Sequence, residues 1–224
     1  MILYHGSQYI IEHPLFGYGN QANDYGKGFY CTESIDLAKE WACLKNHDGF
    51  ANKYHLPENG LTFVNLNGPE YNILNWIAVL IENRTFWSKN SLSDEAKRYI
   101  HDTFLPDLSG YDVIRGYRAD DSYFSFAKAF VSNTISVQQL SAAMRLGNLG
   151  EQIVLVSQKA FNQIEFIEAV SAKKEKYFLL AEARDKEARS SYRRLAQETD
   201  HMNDLFIVDI MRRGMTNDDI PREL

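Results

Sequence analysis

Three short stretches carry the side chains best suited to chemistry: Tyr4-His5-Gly6-Ser7, Asp24-Tyr-Gly-Lys-Gly-Phe-Tyr-Cys-Thr32 and Glu151-Gln-Ile-Val-Leu-Val-Ser157. His5 can donate or accept a hydrogen bond near neutral pH, and Gly6 beside it carries no side chain to keep a ligand off the backbone. Gly26 and Gly28 also allow close approach, just ahead of Phe29 and Tyr30, whose rings offer a stacking face. Glu151 and Gln152 head a β-favouring run, so they project to opposite faces of it. A carboxylate there can stabilise developing positive charge and hold a hydroxyl, whereas a carboxamide can orient a ligand but cannot act as a base. A fourth stretch, Ala119-Asp120-Asp121, sets two acids side by side. Such a pair can accept from both hydroxyls of a ribose, or cap the helix that follows. Neighbours in sequence cannot by themselves form a paired-carboxylate glycosidase, which needs two acids facing each other across a cleft.

These residues need elements to position them. Met1 to Tyr4 reads as a first strand, turned by His5-Gly6-Ser7. Gln8 to Asn23, with His13-Pro14, Gly17 and Gly19, reads as a loop placed to cover a site. Phe29 to Thr32 is a strand, and Ser34 caps an amphipathic helix with Ile35, Ala38, Trp41 and Ala42 on one face. Leu61 to Leu66 is a strand ended by Asn67-Gly-Pro69, and Tyr71 to Arg84 is a helix whose Trp76 packs in the core. A short helix follows over Ser93 to His101. Val113 and Ile114 form a buried strand that Gly116 ends or kinks, before an aromatic helix over Ser122 to Phe130. The helix over Ile135 to Leu146 breaks at Gly147-Asn-Leu-Gly150, and Glu151 to Ser157 is a strand. Ala172 to Gln197 reads as one long helix with Arg184, Arg189, Arg193 and Arg194 mostly on its polar face. Asp204 to Arg213 is another helix, ended by Gly214.

Composition narrows the function. At 224 residues and 45% apolar, the chain can bury a core as one large domain or one domain with an extension. A net charge of −6 argues against a strongly basic nucleic-acid binder, though not against a local basic groove. Cys31 and Cys43, the two cysteines, make no disulfide framework and fit a reducing, cytoplasmic setting. With His47 they lack zinc spacing, so no metal is expected. No leader or membrane span is read, and Gly-x-Gly-x-x-Gly, Walker A and Gly-x-Ser-x-Gly motifs are missing.

The order of these motifs resembles the ADP-ribosyltransferase superfamily, on its poly(ADP-ribose) polymerase and diphtheria-toxin side. That side places a His, often as His-Gly-Ser, in a first strand and a Tyr in a Gly-x-Gly-Ile-Tyr-Phe-like strand. Its third element is an acid, or Gln in divergent members, at the head of a later strand. His5 and Tyr30 match the first two. The third falls on Glu151 in one register and on Gln152 in the other. Over residues 1 to 170 the chain is most similar to a bacterial group of uncharacterised ADP-ribosyltransferase-like proteins, some encoded beside small antitoxin-like partners. That group shares the Asn83-Arg84 helix end and the Gly116-Tyr-Arg-Ala-Asp-Asp121 element.

The resemblance implies an α+β fold: a split β-sheet core with surrounding helices over 1–170 and a helical C-terminal extension over 171–224. It implies NAD as substrate, bound by His5, Gly6, Ser7, Gly28, Phe29, Tyr30, Asp120 and Asp121. His5 would contact the adenine-side ribose. The Gly6 backbone would bind the nicotinamide amide, with Ser7 adding a hydroxyl, and the Tyr30 ring would stack on nicotinamide. It also implies mono-ADP-ribosyl transfer to a protein or nucleic-acid acceptor by a toxin or defence effector, with a small antitoxin protein as a further partner and no membrane. NAD glycohydrolase activity, or an inactive binding module of the same fold, are the alternatives.

Overall fold

A computed structural model describes residues 1–85, 91–119, 121–145, 150–198 and 204–222, with Asp121, Ser122 and 195–198 described by backbone alone. Local chemistry explains where its helices begin. Ser34 accepts from Leu37 N and starts α1 (Ile35–Ala42). Asn72 and Asn75 form a reciprocal cap on α2 (Ile73–Asn83), as Ser136 and Gln139 do on α5 (Val137–Met144). The other helices are α3 (Ser91–Phe104), α4 (Asp121–Val131), α6 (Gln158–Gln163), α7 (Lys174–Glu198) and α8 (Ile207–Arg213), which ends at Gly214 in the left-handed region.

The strands form two open sheets, so the fold is α+β. One sheet has the order β1-β3-β7, from β1 (Ile2–Ser7), β3 (Gly49–His55) and β7 (Glu165–Ala172). The other has the order β2-β6-β5-β4, from β2 (Phe29–Cys31), β6 (Glu151–Leu155), β5 (Val113–Tyr117) and β4 (Phe63–Asn65).

The turn expected at His5-Gly6-Ser7 is strand instead. β1 pairs antiparallel with β3 through Ser7, with His5 opposite Asn52 and Gly6 opposite Ala51. Gly6 is there because α1 lies against β1: a Cβ would stand 2.1 Å from the Ala38 carbonyl oxygen. Gly116 does not end its strand either. It pairs with Gln152 inside β5, where a Cβ would meet the Tyr25 hydroxyl at 2.1 Å.

The main hydrophobic core gathers Trp76, Leu80, Phe104, Phe130, Leu140 and Val154 together with Ile207, Ile210 and Ile220. The C-terminal helices therefore share the core of the rest of the chain. Arg184, expected on a polar face of α7, instead makes two bonds of 2.8 and 3.0 Å to the buried Glu40 of α1. A buried carboxylate needs such a bidentate partner to offset its desolvation. Among the described residues no helix is long and apolar enough to cross a membrane.

Candidate functional site

The two sheets touch at one step of a ladder and then part. Tyr4 and Thr32 exchange backbone hydrogen bonds of 2.8 and 2.9 Å. One residue further along β1, the ring of His5 takes over: its Nδ1 lies 2.7 Å from the Tyr30 carbonyl oxygen. A carbonyl only accepts, so Nδ1 carries the proton and donates. Burial lowers the His5 pKa below its ordinary value, so the ring is neutral at pH 7 and Nε2 is left as an acceptor. Strand alternation turns the Gly6 N–H and C=O to the same side as those of Tyr4, toward the gap.

That gap is a cavity of about 590 Å³, lined by His5, Gly6, Gly28, Phe29, Tyr30 and Gln152 among others. Its volume is in the range of small-molecule sites. Phe29 stacks on His5 with centroids 4.4 Å apart and meets Tyr54 edge-on, which fixes the imidazole from behind. Tyr30 donates its hydroxyl to Gly26 O at 2.6 Å and accepts from Tyr25 N at 3.1 Å, so the phenol end is pinned. Part of the 8–23 loop lies over the cavity, contributing Ile11, Pro14, Leu15, Tyr18 and Gly19 to its wall. Asn52 tethers this loop, accepting from Ile11 N at 3.0 Å and donating to Tyr9 O at 3.1 Å. Arg118, held over the Trp41 ring at 4.7 Å, adds a cation to the lining.

The two residues at the head of β6 have opposite fates. Gln152 is 4% exposed and enters the cavity. Its amide nitrogen donates to Asp24 Oδ2 at 2.9 Å. Asp24 also accepts from Arg84 Nη1 and from Ala119 N, each at 2.8 Å, and Arg84 lies over the Phe124 ring at 4.3 Å. Glu151 is turned to the other face of the sheet. Its side chain is 38% exposed and bound to Arg115 at 3.1 Å and Asn67 at 2.8 Å. It lines a separate cleft with Glu33, Ser34 and Asp36. Ser7 is not in the cavity wall, and its oxygen accepts from Tyr9 N at 3.1 Å. Asp120 lies outside the described residues, as do Leu146 and the 147–149 part of the expected glycine break. Asp121 starts α4, but its side chain is not described.

A family model described as a protein of unknown function (DUF3990) matches residues 1–166. The chain belongs to the DUF3990 family. No curated protein and no solved structure matches it. The DUF3990 match runs from β1 to the start of β7 and so contains every residue that lines the cavity.

Sequence reasoning misses Asp24, Arg84, Trp41, Asn52 and Arg118 as parts of this DUF3990 site. The signals are faint. Asp24 heads the glycine-aromatic stretch, and Arg84 ends the helix at Asn83-Arg84, but their pairing spans 60 residues of chain. Gly26 and Gly28 suggest ligand access in the sequence, and the structure gives each another reason. Gly26 has φ +72° against Asn83, and a Cβ on Gly28 would meet Val154 Cγ1 at 2.5 Å.

Proposed function

We propose that this cavity binds NAD and that the chain breaks the nicotinamide–ribose bond, passing ADP-ribose to a macromolecular acceptor, on an ADP-ribosyltransferase-like split-sheet core. The observation that carries the reading is the convergence of His5, Tyr30 and Gln152, from β1, β2 and β6, on one cavity. Neutral His5 offers Nε2 to a ribose hydroxyl, and Gly6 offers backbone groups to the carboxamide of nicotinamide. The Tyr30 ring, pinned at its hydroxyl, is a flat face for the pyridinium. Arg118 on Trp41 supplies positive charge for the diphosphate.

In the reaction the bond between ribose C1′ and the nicotinamide nitrogen breaks, and its electron pair neutralises the pyridinium. Positive charge passes to the ribose, as in glycoside cleavage. The acceptor's nucleophile then bonds to C1′ and loses its proton to solvent; Gln152 has no basic site to take it. Gln152 orients the ribose through hydrogen bonds. A carboxamide in place of a carboxylate favours single transfer and makes the acceptor's own nucleophilicity decisive. A toxin or defence effector is the biological setting that goes with this reading.

The test follows NAD labelled in its adenosine half, with purified protein freed of any bound partner, in lysate that retains protein and nucleic acid. Label on a macromolecule, lost in Gln152→Ala, is the expected result. Free ADP-ribose alone would make the enzyme a glycohydrolase. No NAD consumption by the wild type would overturn the enzyme reading and leave a binding module.

A further inference from the structure

The buried carboxylate behind Gln152 has no part in the roles above. Asp24 is 7% exposed and receives three donors: Arg84, Ala119 N and Gln152. Such a group is costly to bury unless all its partners are in place. Arg84 answers its charge, so its effect on Gln152 is one of direction. An amide alone on a cavity wall can turn either way, showing NH₂ or oxygen to a ligand. A carboxylate can only accept, so it captures Nε2 and leaves Oε1 as the atom for the ligand. For a ribose that gains positive charge, an oxygen is attractive and an N–H repulsive.

We infer that Asp24 is the positioning residue of the site, holding the Gln152 carboxamide so that Oε1 faces the reacting sugar. Resting on the NAD reading, this adds which atom of Gln152 acts and what fixes it. The backbone supports the same geometry. Gln152 is held from one side by its pairing with Gly116 in β5, and Asp24 is tied to the β5–α4 connection through Ala119. Asp24 and Gln152, 128 residues apart in sequence, are thus both held from β5 and its exit, and meet through one bond.

The test is a charge exchange across that bond, with steady-state nicotinamide release, its pH profile and thermal melting measured for four proteins: wild type, Asp24→Asn, Gln152→Glu and the double variant. In Asp24→Asn the new NH₂ opposes a donor in either orientation, Arg84 on one side or Ala119 N and Gln152 on the other. Where it meets Gln152 that carboxamide turns, so kcat should fall about a hundredfold while KM for NAD changes less than about threefold. Gln152→Glu sets two carboxylates at the 2.9 Å contact. They must share a proton, which adds a new limb to the pH profile. In the double variant the introduced carboxamide donates to the introduced carboxylate, so the new limb disappears and kcat returns to within about tenfold of wild type. A merely structural Asp24 would lower melting in both Asp24 variants and give no recovery, which overturns the inference. Wild-type turnover in Asp24→Asn overturns it too, with the NAD reading intact. Absence of turnover in the wild type overturns both. Should Asp24→Asn alone fail to fold, the comparison of Gln152→Glu with the double variant decides the same question: recovery supports the positioning role and its absence overturns it.

Discussion

The two faces of β6 differ more than their sequence suggests. Glu151 and Gln152 are neighbours, yet one sits in a half-exposed network with Arg115, Asn67 and Glu33, and the other is sealed against Asp24. By side-chain chemistry alone, the carboxylate is the better candidate for work on a cationic sugar. Direction puts the other residue in the cavity. A strand that pairs Tyr117 with Glu151 and Gly116 with Gln152 leaves one face to each, and the cavity lies on the second. A site is chosen by the face its strand presents before the reactivity of any residue matters.

Truncating each residue in turn separates the two faces most strongly. Gln152→Ala should lower nicotinamide release by about a hundredfold or more, whereas Glu151→Ala should stay within about twofold of wild type. Loss of activity in the Glu151 variant alone would reverse the assignment of faces. Next in size is the opposite wall of the cavity. Gly6→Ala drives a Cβ to 2.1 Å from the Ala38 carbonyl oxygen, and neither β1 nor α1 can yield freely. Denaturant unfolding should show a loss of about 1–3 kcal/mol, the usual cost of overpacking.

A third test uses pH. Burial depresses the His5 pKa in the folded chain below 6.5, so the unfolded chain binds the extra proton first. The contribution of His5 to stability is therefore complete above pH 6.5 and is lost as pH falls toward the folded value. His5→Gln should remove that slope, measured as melting temperature between about pH 7 and 5 against wild type. The smallest effect is expected on the outer face. Removing Glu151 from its half-exposed ion pair should change stability by less than about 1 kcal/mol.

Much of the helical part of the fold is legible in the sequence, because caps are local. Ser34 and Gly214 mark ends that the structure places within a residue or two of the expectation. The face of α1 is harder to read: Leu37, Ala38, Glu40 and Ala42 are buried, while Trp41 turns toward the cavity. β3, α6 and β7 leave no readable pattern. β7 is the edge of its sheet, and its Glu165, Ile167 and Glu168 face solvent without a clean alternation. β3 holds the wholly buried Asn52, a polar residue whose partners are the loop and β1. Without β3 in view, His5-Gly6-Ser7 looks like a turn, since the strand it pairs with is missing from the picture. In the site, His5 and Tyr30 are legible from their setting, while Asp24 and Arg84 are not. A loop aspartate and a helix-end arginine acquire meaning only when the chain brings them together. The choice between Glu151 and Gln152 is closed to pattern reading because the run that follows, Ile153 to Leu155, is buried on both faces and marks neither.

The strand order also sets when the cavity can exist. Asp24 must wait for Gln152, 128 residues later, and at a synthesis rate of about 5–20 residues per second that is roughly 6 to 26 s. β3 likewise waits for β7, whose last residue, Ala172, is made later still. A ribosome-bound chain that stalls before β6 carries His5 and Tyr30 without Gln152 and without the strand that β2 pairs with. The complete cavity wall, with Gln152 and Phe161, exists only after most of the polypeptide has been made, so truncated products of translation lack it.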